Sequence, residues 1–320
     1  MLAVKDLRTY FLRDPYPSIK AVDGLSYSVS PGELVAIVGE SGCGKSISIL
    51  SVLRLNPPNS NIIGGQILWH GRDLLQMSPE EIRSIRGKDI AMIFQNPLSS
   101  LNPLMKIGAQ ISEVMEIHRG FTRKDGWREG TEMLKKVGVP DVSSKMDAYP
   151  FQLSGGMRQR AMIAMALCCE PELLIADEPT TSLDATTQAQ ILELIASVNR
   201  EAGRATILVT HDLGIVARYA NKVNIMYAGH LFESAPCDEL YKHPVQPYTE
   251  ALLKAMPRLD LGRKYQPLTI KGVPPRLDRL TGGCPFYERC RYKIKRCNEE
   301  RPQVEEASPG HFVACWQIRR

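Results

Sequence analysis

Short apolar runs alternate with amphipathic stretches over the first two thirds of the chain. Four of these runs have the length and the aliphatic composition of strands: LVAIV at 34–38, IAMIF at 90–94, LLIA at 173–176 and TILVT at 206–210. Strands that alternate with helices usually build a largely parallel sheet whose faces the helices cover. The pattern therefore predicts an α/β fold.

The strand pattern is interrupted between Asn96 and Leu153. Helical patterns replace it, above all over Ile107–His118 and Trp127–Val137. A core that loses its strands and later regains them indicates an insertion. We therefore predict a helical subdomain at about residues 96–157, inserted into the α/β core.

The last quarter of the chain has a different composition. KHPVQPYTEALLKAMPRLD at 242–260 predicts one amphipathic helix, and Pro and Gly then recur through TIKGVPPRLDRLTGGCPF at 269–286. Such punctuation is typical of turns and loops. We expect a main domain over residues 1–250 and a small C-terminal domain over residues 251–320.

Hydropathy and charge narrow the class of protein. No apolar run approaches the ~18 to 20 residues of a membrane-spanning helix, and the start MLAVKDLRTYFLRD does not resemble a secretory signal. We therefore expect a cytosolic protein. Residues 254–320 carry about 15 Lys or Arg against about 7 Asp or Glu, an excess that exceeds the net +5 of the whole chain. This basic tail is either a solvated surface or a contact for anionic lipid or an acidic partner.

A phosphate-binding motif follows the first predicted strand. Gly39–Ser46 reads GESGCGKS, which matches G-x-x-x-x-G-K-[ST] between a strand and a helix. In such a P-loop, glycines let backbone N–H groups turn toward phosphate, and the helix N-terminus adds partial positive charge. Lys45 would reach the β and γ phosphates and Ser46 would bind Mg²⁺. The residues expected to contact the nucleotide are Gly39, Ser41, Gly42, Cys43, Gly44, Lys45, Ser46 and Ile47.

Two carboxylates end the third predicted strand. In LLIADE at 173–178, Asp177 follows four apolar residues and Glu178 comes next. A P-loop ATPase needs a carboxylate at a strand end for its Mg²⁺ shell, and Asp177 fits that need. Glu178 stands where a general base could polarise the attacking water.

A second phosphate-binding helix start lies between these motifs. Leu153–Gln159 reads LSGGMRQ and leads into the helical RAMIAMALCC. The Ser154 hydroxyl and the amides of Gly155 and Gly156 would donate to phosphate at a helix N-terminus. This order of motifs resembles the ABC-type ATPases, in which LSGG is the signature. The resemblance implies a P-loop NTPase fold with a mixed sheet core and an inserted helical subdomain.

The resemblance also assigns roles to residues that are nondescript alone. Gln95 resembles the Q-loop glutamine, which contacts Mg²⁺ and the water and borders the groove where the membrane subunit docks. His211 resembles the switch histidine, and Asp184 the D-loop residue that crosses to the opposing subunit. Tyr16 is the expected adenine-stacking aromatic, with Tyr10 and Phe11 as competitors.

In this family the signature of one chain completes the ATP site of another. The resemblance therefore implies a head-to-tail dimer with a second, homologous ATPase subunit. It further implies docking on two transmembrane permease subunits at the cytoplasmic face of the cell membrane, indirect work with an extracytoplasmic solute-binding protein, and no nucleic-acid partner. A relative that acts on DNA or ribosomes is the alternative, but the chain lacks both a long coiled-coil insertion and a second motor cassette.

The tail narrows the resemblance. HPVQPYTEALLKAMP and the later CPFYERCRYKIKRC and HFVACW resemble the C-terminal region of ATP-binding subunits of dipeptide and oligopeptide importers. Gln246 departs from that pattern, where a second His-Pro pair is expected, so the contacts of that turn are in question. Peptide is the implied cargo; nickel, glutathione or another small solute is the alternative.

Four cysteines crowd the tail: Cys284, Cys290, Cys297 and Cys315. Four thiolates suit tetrahedral zinc or an iron-sulfur cluster, and free thiols or disulfides are further alternatives. The resemblance implies a 4Fe-4S cluster, with zinc as the second choice. Cys168 and Cys169 lie in an apolar helical stretch and are expected in the core.

Overall fold

The computed structural model describes residues 1–13, 15–181, 183–256, 269–280 and 282–318. It divides into two compact units, unit 1 with residues 1–75 and 209–320 and unit 2 with residues 76–208. In the described ranges, no helix is both long and apolar enough to cross a membrane.

The described residues form twelve named strands and twelve α-helices. In chain order the strands are β1 (Leu2–Phe11), β2 (Ile19–Val29), β3 (Leu34–Val38), β4 (Ser60–Trp69), β5 (Arg72–Asp73), β6 (Ile90–Ile93), β7 (Leu173–Asp177), β8 (Ala205–Thr210), β9 (Lys222–Tyr227), β10 (His230–Pro236), β11 (Glu305–Ser308) and β12 (His311–Val313). The helices are α1 (Lys45–Val52), α2 (Pro79–Ile85), α3 (Pro97–Ser100), α4 (Ile107–Arg119), α5 (Arg123–Lys136), α6 (Val142–Met146), α7 (Gly155–Leu167), α8 (Ala185–Ala202), α9 (Leu213–Tyr219), α10 (Cys237–Lys242), α11 (Pro247–Ala255) and α12 (Lys295–Glu299). Short 3₁₀ turns occupy Leu74–Gln76, Pro150–Gln152, Leu277–Arg279 and Tyr287–Arg289.

Unit 1 contains an antiparallel sheet of order β2-β1-β4-β5 and a second run of strands of order β11-β12-β10-β9-β3. In the second run β3 pairs with β9 in parallel, whereas β10 pairs with both β9 and β12 in antiparallel fashion. All five residues of β3 are buried, and each fully buried Val, Leu or Ile side chain contributes about 1.5–3 kcal/mol. The mixed sheet confirms the predicted α/β fold with a mixed sheet core; the separate Cys-rich C-terminal domain stays a prediction.

Unit 2 places its strands in the order β8-β7-β6, and β6 pairs with β7 in parallel. The four strand-like runs of the sequence thus lie in β3, β6, β7 and β8. All residues from 94 to 172 are described, and none of them lies in a strand, as the sequence predicts. Helices α4 and α5 pack closely because Gly126 lies against Ser112, where a Cβ would be 3.2 Å from the Ser112 backbone.

The C-terminal part of unit 1 packs onto an aromatic cluster. Phe286 is buried, and its ring lies 5.3 Å from both the Tyr227 and the Tyr248 rings. Val313 of β12 is also buried. The helix expected at 242–260 is observed as α11 only, and the residues at 257–260 lie outside the described ranges. The domain boundary near residue 250 stays a prediction.

Candidate nucleotide-binding site

The predicted phosphate-binding loop connects β3 to α1 in unit 1. Two of its glycines lie against backbone carbonyls. A Cβ on Gly39 would lie 2.2 Å from the Met226 carbonyl oxygen, and one on Gly44 would lie 2.0 Å from the Ala21 carbonyl oxygen. Gly44 also has φ +102°, which side chains rarely adopt. Glycine is therefore required at both positions by close approach.

Lys45 begins α1 and is buried in spite of its charge. Its Nζ donates to the carbonyl oxygens of Gly39 at 2.8 Å and Glu40 at 3.1 Å. These hydrogen bonds curl the loop back over the first turn of the helix, where the leading N–H groups have no intrahelical acceptor. A cationic side chain and helix amides beside one loop make a site for phosphate.

The other loop residues divide between solvent and core. Ser41 and Gly42 are exposed, and Ser46 and Ile47 are half-buried on α1. Cys43 is buried, burial raises the pKa of its thiol, and its carbonyl accepts from the Gly229 amide at 2.9 Å. The Cys43 sulfur is thus in the core, and only its backbone is available to a ligand.

Glu40 is a residue of this loop that the sequence analysis did not single out. Its carboxylate accepts two hydrogen bonds from the Arg289 guanidinium, at 2.6 and 2.9 Å, and its amide donates to the Tyr248 hydroxyl at 3.1 Å. Burial raises the pKa of Tyr248 far above its usual range, so this hydroxyl stays neutral. No sequence signal indicates a pair whose members are 249 residues apart.

The candidate adenine-stacking aromatics differ in how accessible their rings are to a ligand. The Tyr10 hydroxyl donates to Asp23 at 2.7 Å, and burial, followed by this hydrogen bond, raises its pKa to about 12. Tyr16 is two-thirds exposed, with the Arg13 guanidinium 5.6 Å from its ring centroid. Tyr16 therefore presents an accessible ring face, whereas Tyr10 is held by β2. His211 follows β8 and is exposed.

In unit 2 the structure brings together two of the predicted catalytic residues. Gln95 Nε2 donates to Glu178 Oε2 at 3.1 Å, and the Thr181 hydroxyl donates to the same oxygen at 3.1 Å. Asp177 is buried at the end of β7. Glu178 has φ +43°, a left-handed conformation that is strained in non-glycine residues. Such strain is concentrated at functional sites.

The signature residues and Asp184 both start helices. Ser154 is the N-cap of α7, where its hydroxyl oxygen accepts from the Met157 amide at 3.3 Å, and Gly155 is exposed. Gly156 packs against Thr187, whose Cγ2 would lie 2.9 Å from a Cβ. Asp184 is the N-cap of α8, and hydrogen bonds from Thr187 lower its pKa. Asp184 thus has a local structural role that the sequence analysis did not predict; its contact with a second subunit stays a prediction.

The turn at Gln246, where the sequence departs from the importer pattern, is well satisfied. The Gln246 side chain is buried and caps α11 by accepting from the Tyr248 amide. The Gln246 backbone amide donates to the buried Glu233 carboxylate at 3.3 Å. The same carboxylate accepts from the His311 ring at 2.7 Å. Glutamine therefore provides the N-cap that holds this helix.

The four tail cysteines are close enough to influence one another. Burial raises the pKa of Cys284 to about 12; a backbone hydrogen bond from Phe286 opposes this shift, and the neighbouring Cys297, Cys290 and Cys315 add smaller contributions to it. The Cys284 amide donates to the Cys297 carbonyl at 2.7 Å, and none of the four is in a disulfide. Across the part of the chain that the structure describes, no group of three or more His, Cys, Asp or Glu is arranged to hold a metal ion. Cys168 and Cys169 are buried, as predicted.

Comparison with known families gives two matches. Residues 22–181 match the ABC transporter family, and residues 232–297 match the family described as oligopeptide/dipeptide transporter, C-terminal region. Together these matches contain the phosphate-binding loop, the signature helix, the Asp177–Glu178 strand end and three of the four tail cysteines.

Curated relatives match over nearly their full length. The chain is 46% identical over 318 residues to the probable peptide ABC transporter ATP-binding protein y4tR of Sinorhizobium fredii, covering 99% of this chain and 95% of that protein. It is 44% identical to the oligopeptide transport ATP-binding protein OppD of Salmonella typhimurium, covering 99% and 93%. It is 46% identical to the dipeptide transport ATP-binding protein DppD of Bacillus subtilis, covering 93% and 89%.

Solved structures share the fold. One is the dimeric post-hydrolysis state of an ATP-binding cassette bound to ADP and phosphate, with TM-score 0.67 and 25% identity over 74% of this chain and 99% of that chain. Another is the dimeric structure of a bacterial ABC transporter cassette, with TM-score 0.67 and 26% identity over the same shares of the two chains.

The close approach at Gly44 predicts a stability difference between two glycines. Gly44→Ala should lower the free energy of unfolding by more than the ~1–3 kcal/mol of backbone strain alone, because its Cβ would overlap the Ala21 carbonyl. Gly42→Ala is the matched control, since φ is +77° there but none of the described atoms lies within 4 Å of the added Cβ. Denaturant unfolding of both variants measures the difference, and equal losses would contradict the close-packing argument.

Proposed function

The chain belongs to the ABC transporter family as an ATP-binding and ATP-hydrolysing subunit, and we propose that it energises import of dipeptides or oligopeptides across the cytoplasmic membrane. The observation that carries the ATPase function is the glycine-constrained loop between β3 and α1, closed by the buried Lys45. The match of residues 232–297 to the oligopeptide/dipeptide transporter region supports peptide cargo. No observation on this chain favours nickel, glutathione or another small solute, which stay the alternative.

Each side chain of the site has a proposed role in binding ATP or Mg²⁺. Lys45 and the amides of the loop from Gly39 to Ile47 bind the phosphates, and Tyr16 stacks on the adenine. Ser46, Gln95 and Asp177 are the proposed Mg²⁺ ligands, since they would supply the hydroxyl, amide and carboxylate oxygens that this ion prefers. Bound Mg²⁺ would neutralise charge on the β and γ phosphates. His211 would hold the γ-phosphate.

Glu178 is the proposed general base. Hydrogen bonds from Gln95 and Thr181 fix the orientation of its carboxylate. A carboxylate held in this way can take a proton from the attacking water as the oxygen of that water bonds to the γ-phosphorus, while the bond from the γ-phosphorus to the β–γ bridging oxygen breaks and ADP leaves. Gln95, itself a proposed Mg²⁺ ligand, is thereby in direct contact with the proposed base.

The proposed active form is a head-to-tail dimer with a second ATPase subunit. Ser154, Gly155 and Gly156 at the start of α7 would donate to the γ-phosphate held by the partner, since a helix N-terminus attracts anions. Asp184 would lie at the same interface. Two of the solved structures that share this fold are dimeric. ATP would favour the closed dimer, and that shift in population would move two permease subunits at the cytoplasmic face of the membrane.

The four tail cysteines are proposed to hold a 4Fe-4S cluster, with zinc as the alternative. The proposal rests on the four free thiols and on the resemblance of this tail to the importer subunits, because the described residues show no arrangement ready to hold a metal ion. Thiolate ligands suit either metal. When bound, the cluster would cross-link the tail, which is a structural role.

Glu178→Gln should abolish turnover while preserving ATP binding, because it removes the base but keeps the loop. We expect hydrolysis to fall at least about 100-fold, with ATP affinity within about threefold of wild type. Glu172→Gln is the matched control, because Glu172 directly precedes the first residue of β7. This variant should hydrolyse ATP normally. Phosphate release and equilibrium binding measure both quantities. Near-normal hydrolysis by Glu178→Gln would refute the assignment of the base.

The cysteine proposal predicts a brown protein after anaerobic purification, with about four irons per chain. Changing Cys284, Cys290, Cys297 or Cys315 to Ser should lower the iron content and the melting temperature together, because metal binding contributes to folding. Cys168→Ser is the control, since that thiol is buried in unit 2 and should leave the iron content unchanged. Zinc without iron under anaerobic handling would overturn the cluster.

A further inference from the structure

Glu40 attaches the phosphate-binding loop to the C-terminal part of unit 1. Its carbonyl accepts from Lys45 and from the Cys43 amide inside the loop, whereas its amide and its carboxylate bond to residues outside it. The amide donates to Tyr248 on α11, and the carboxylate pairs bidentately with Arg289. The contacts with Tyr248 and Arg289, together with the connection to β3, therefore fix the position of the loop.

Arg289 is held rigidly where it meets Glu40. Its side chain is only 5% exposed. Besides Glu40, its Nη1 donates to the Tyr227 hydroxyl at 3.0 Å and its Nε donates to the Lys271 carbonyl at 3.1 Å. Its amide donates to the carbonyl of Phe286, at 3.0 Å, and the Phe286 ring is packed between Tyr227 and Tyr248. A guanidinium with its donors engaged in this way cannot follow Glu40 if the loop moves.

The pair matters electrostatically because the loop must accept a polyanion. The Glu40 side chain is 23% exposed, so solvent screens its negative charge incompletely. Fork-to-fork pairing with arginine is the strongest neutralising contact that a carboxylate can make. Removing the arginine alone would leave an unpaired, largely buried carboxylate in the loop, and such a charge destabilises both the loop and the binding of phosphate.

Arg289 also lies within the cysteine-rich sequence. It directly precedes Cys290 and follows Cys284 by five residues, and the 3₁₀ turn Tyr287–Arg289 lies between the two cysteines. Any change in the packing of the cysteines therefore reaches Arg289 through one short turn.

We propose that Arg289 is a positioning residue for ATP binding, which neutralises Glu40 and makes the nucleotide affinity of the phosphate-binding loop depend on the folded cysteine-rich region. This inference rests on the proposed ATPase function. Arg289 does not contact the nucleotide; it acts through Glu40.

Mg-ATP titration of the purified full-length chain tests the proposal. Arg289→Met should weaken binding about tenfold, equivalent to about 1.4 kcal/mol. Arg291→Met is the matched control, because Arg291 pairs with Glu250 instead of Glu40, and it should bind as wild type does. Glu40→Gln combined with Arg289→Met should bind more tightly than Arg289→Met alone, since no unpaired carboxylate remains. A residue that merely braces the tail would not show this recovery.

Two results would overturn the proposal: binding by folded Arg289→Met within twofold of wild type, or no recovery in the double variant. Should Arg289→Met fail to fold, Arg289→Lys replaces it, because lysine keeps the charge but loses the bidentate geometry. We then expect binding about threefold weaker than wild type, and unchanged binding would count against the proposal. Failure of the wild-type chain to bind Mg-ATP would instead refute the proposed function, and this inference with it.

Discussion

The phosphate-binding loop depends on two backbone approaches that exclude any side chain. Gly39 and Gly44 lie against the carbonyls of Met226 and Ala21, so the loop is seated on strands from both sheets of unit 1. Lys45 then closes the loop by donating to its carbonyls. A larger residue at either glycine would lift the loop off these strands, and the amides and the lysine would no longer converge on one phosphate.

Two carboxylates, Glu40 and Glu178, have partners of different charge. In unit 1 a carboxylate within the loop, Glu40, is neutralised by Arg289, so that the loop can accept an anion. In unit 2 the Glu178 carboxylate accepts hydrogen bonds from two neutral donors, Gln95 and Thr181, which fix its orientation.

The sequence predicts those parts of the fold that depend on local pattern. The runs at 34–38 and 173–176 are continuous and apolar because β3 and β7 are buried along their whole length, and these runs locate the P-loop after β3 and Asp177 at the end of β7. The N-terminal antiparallel sheet was not predicted. Irregularities in the register of β1 interrupt the alternation of buried and exposed residues by which a strand is usually detected. The pairing of Arg289 with Glu40 was not predictable either, because it depends on how Phe286 packs in the aromatic cluster. Asp184 as a helix cap could have been predicted from its position before ATTQ.

The most direct test of the central claim is ATP hydrolysis by the assembled transporter in proteoliposomes, with its solute-binding protein and defined solutes. We expect dipeptides or oligopeptides to raise the rate of Mg-ATP hydrolysis and to be taken up only when the ATP can be hydrolysed. Stimulation by nickel or another small solute, with no response to peptides, would contradict the claim that this ATPase energises peptide import.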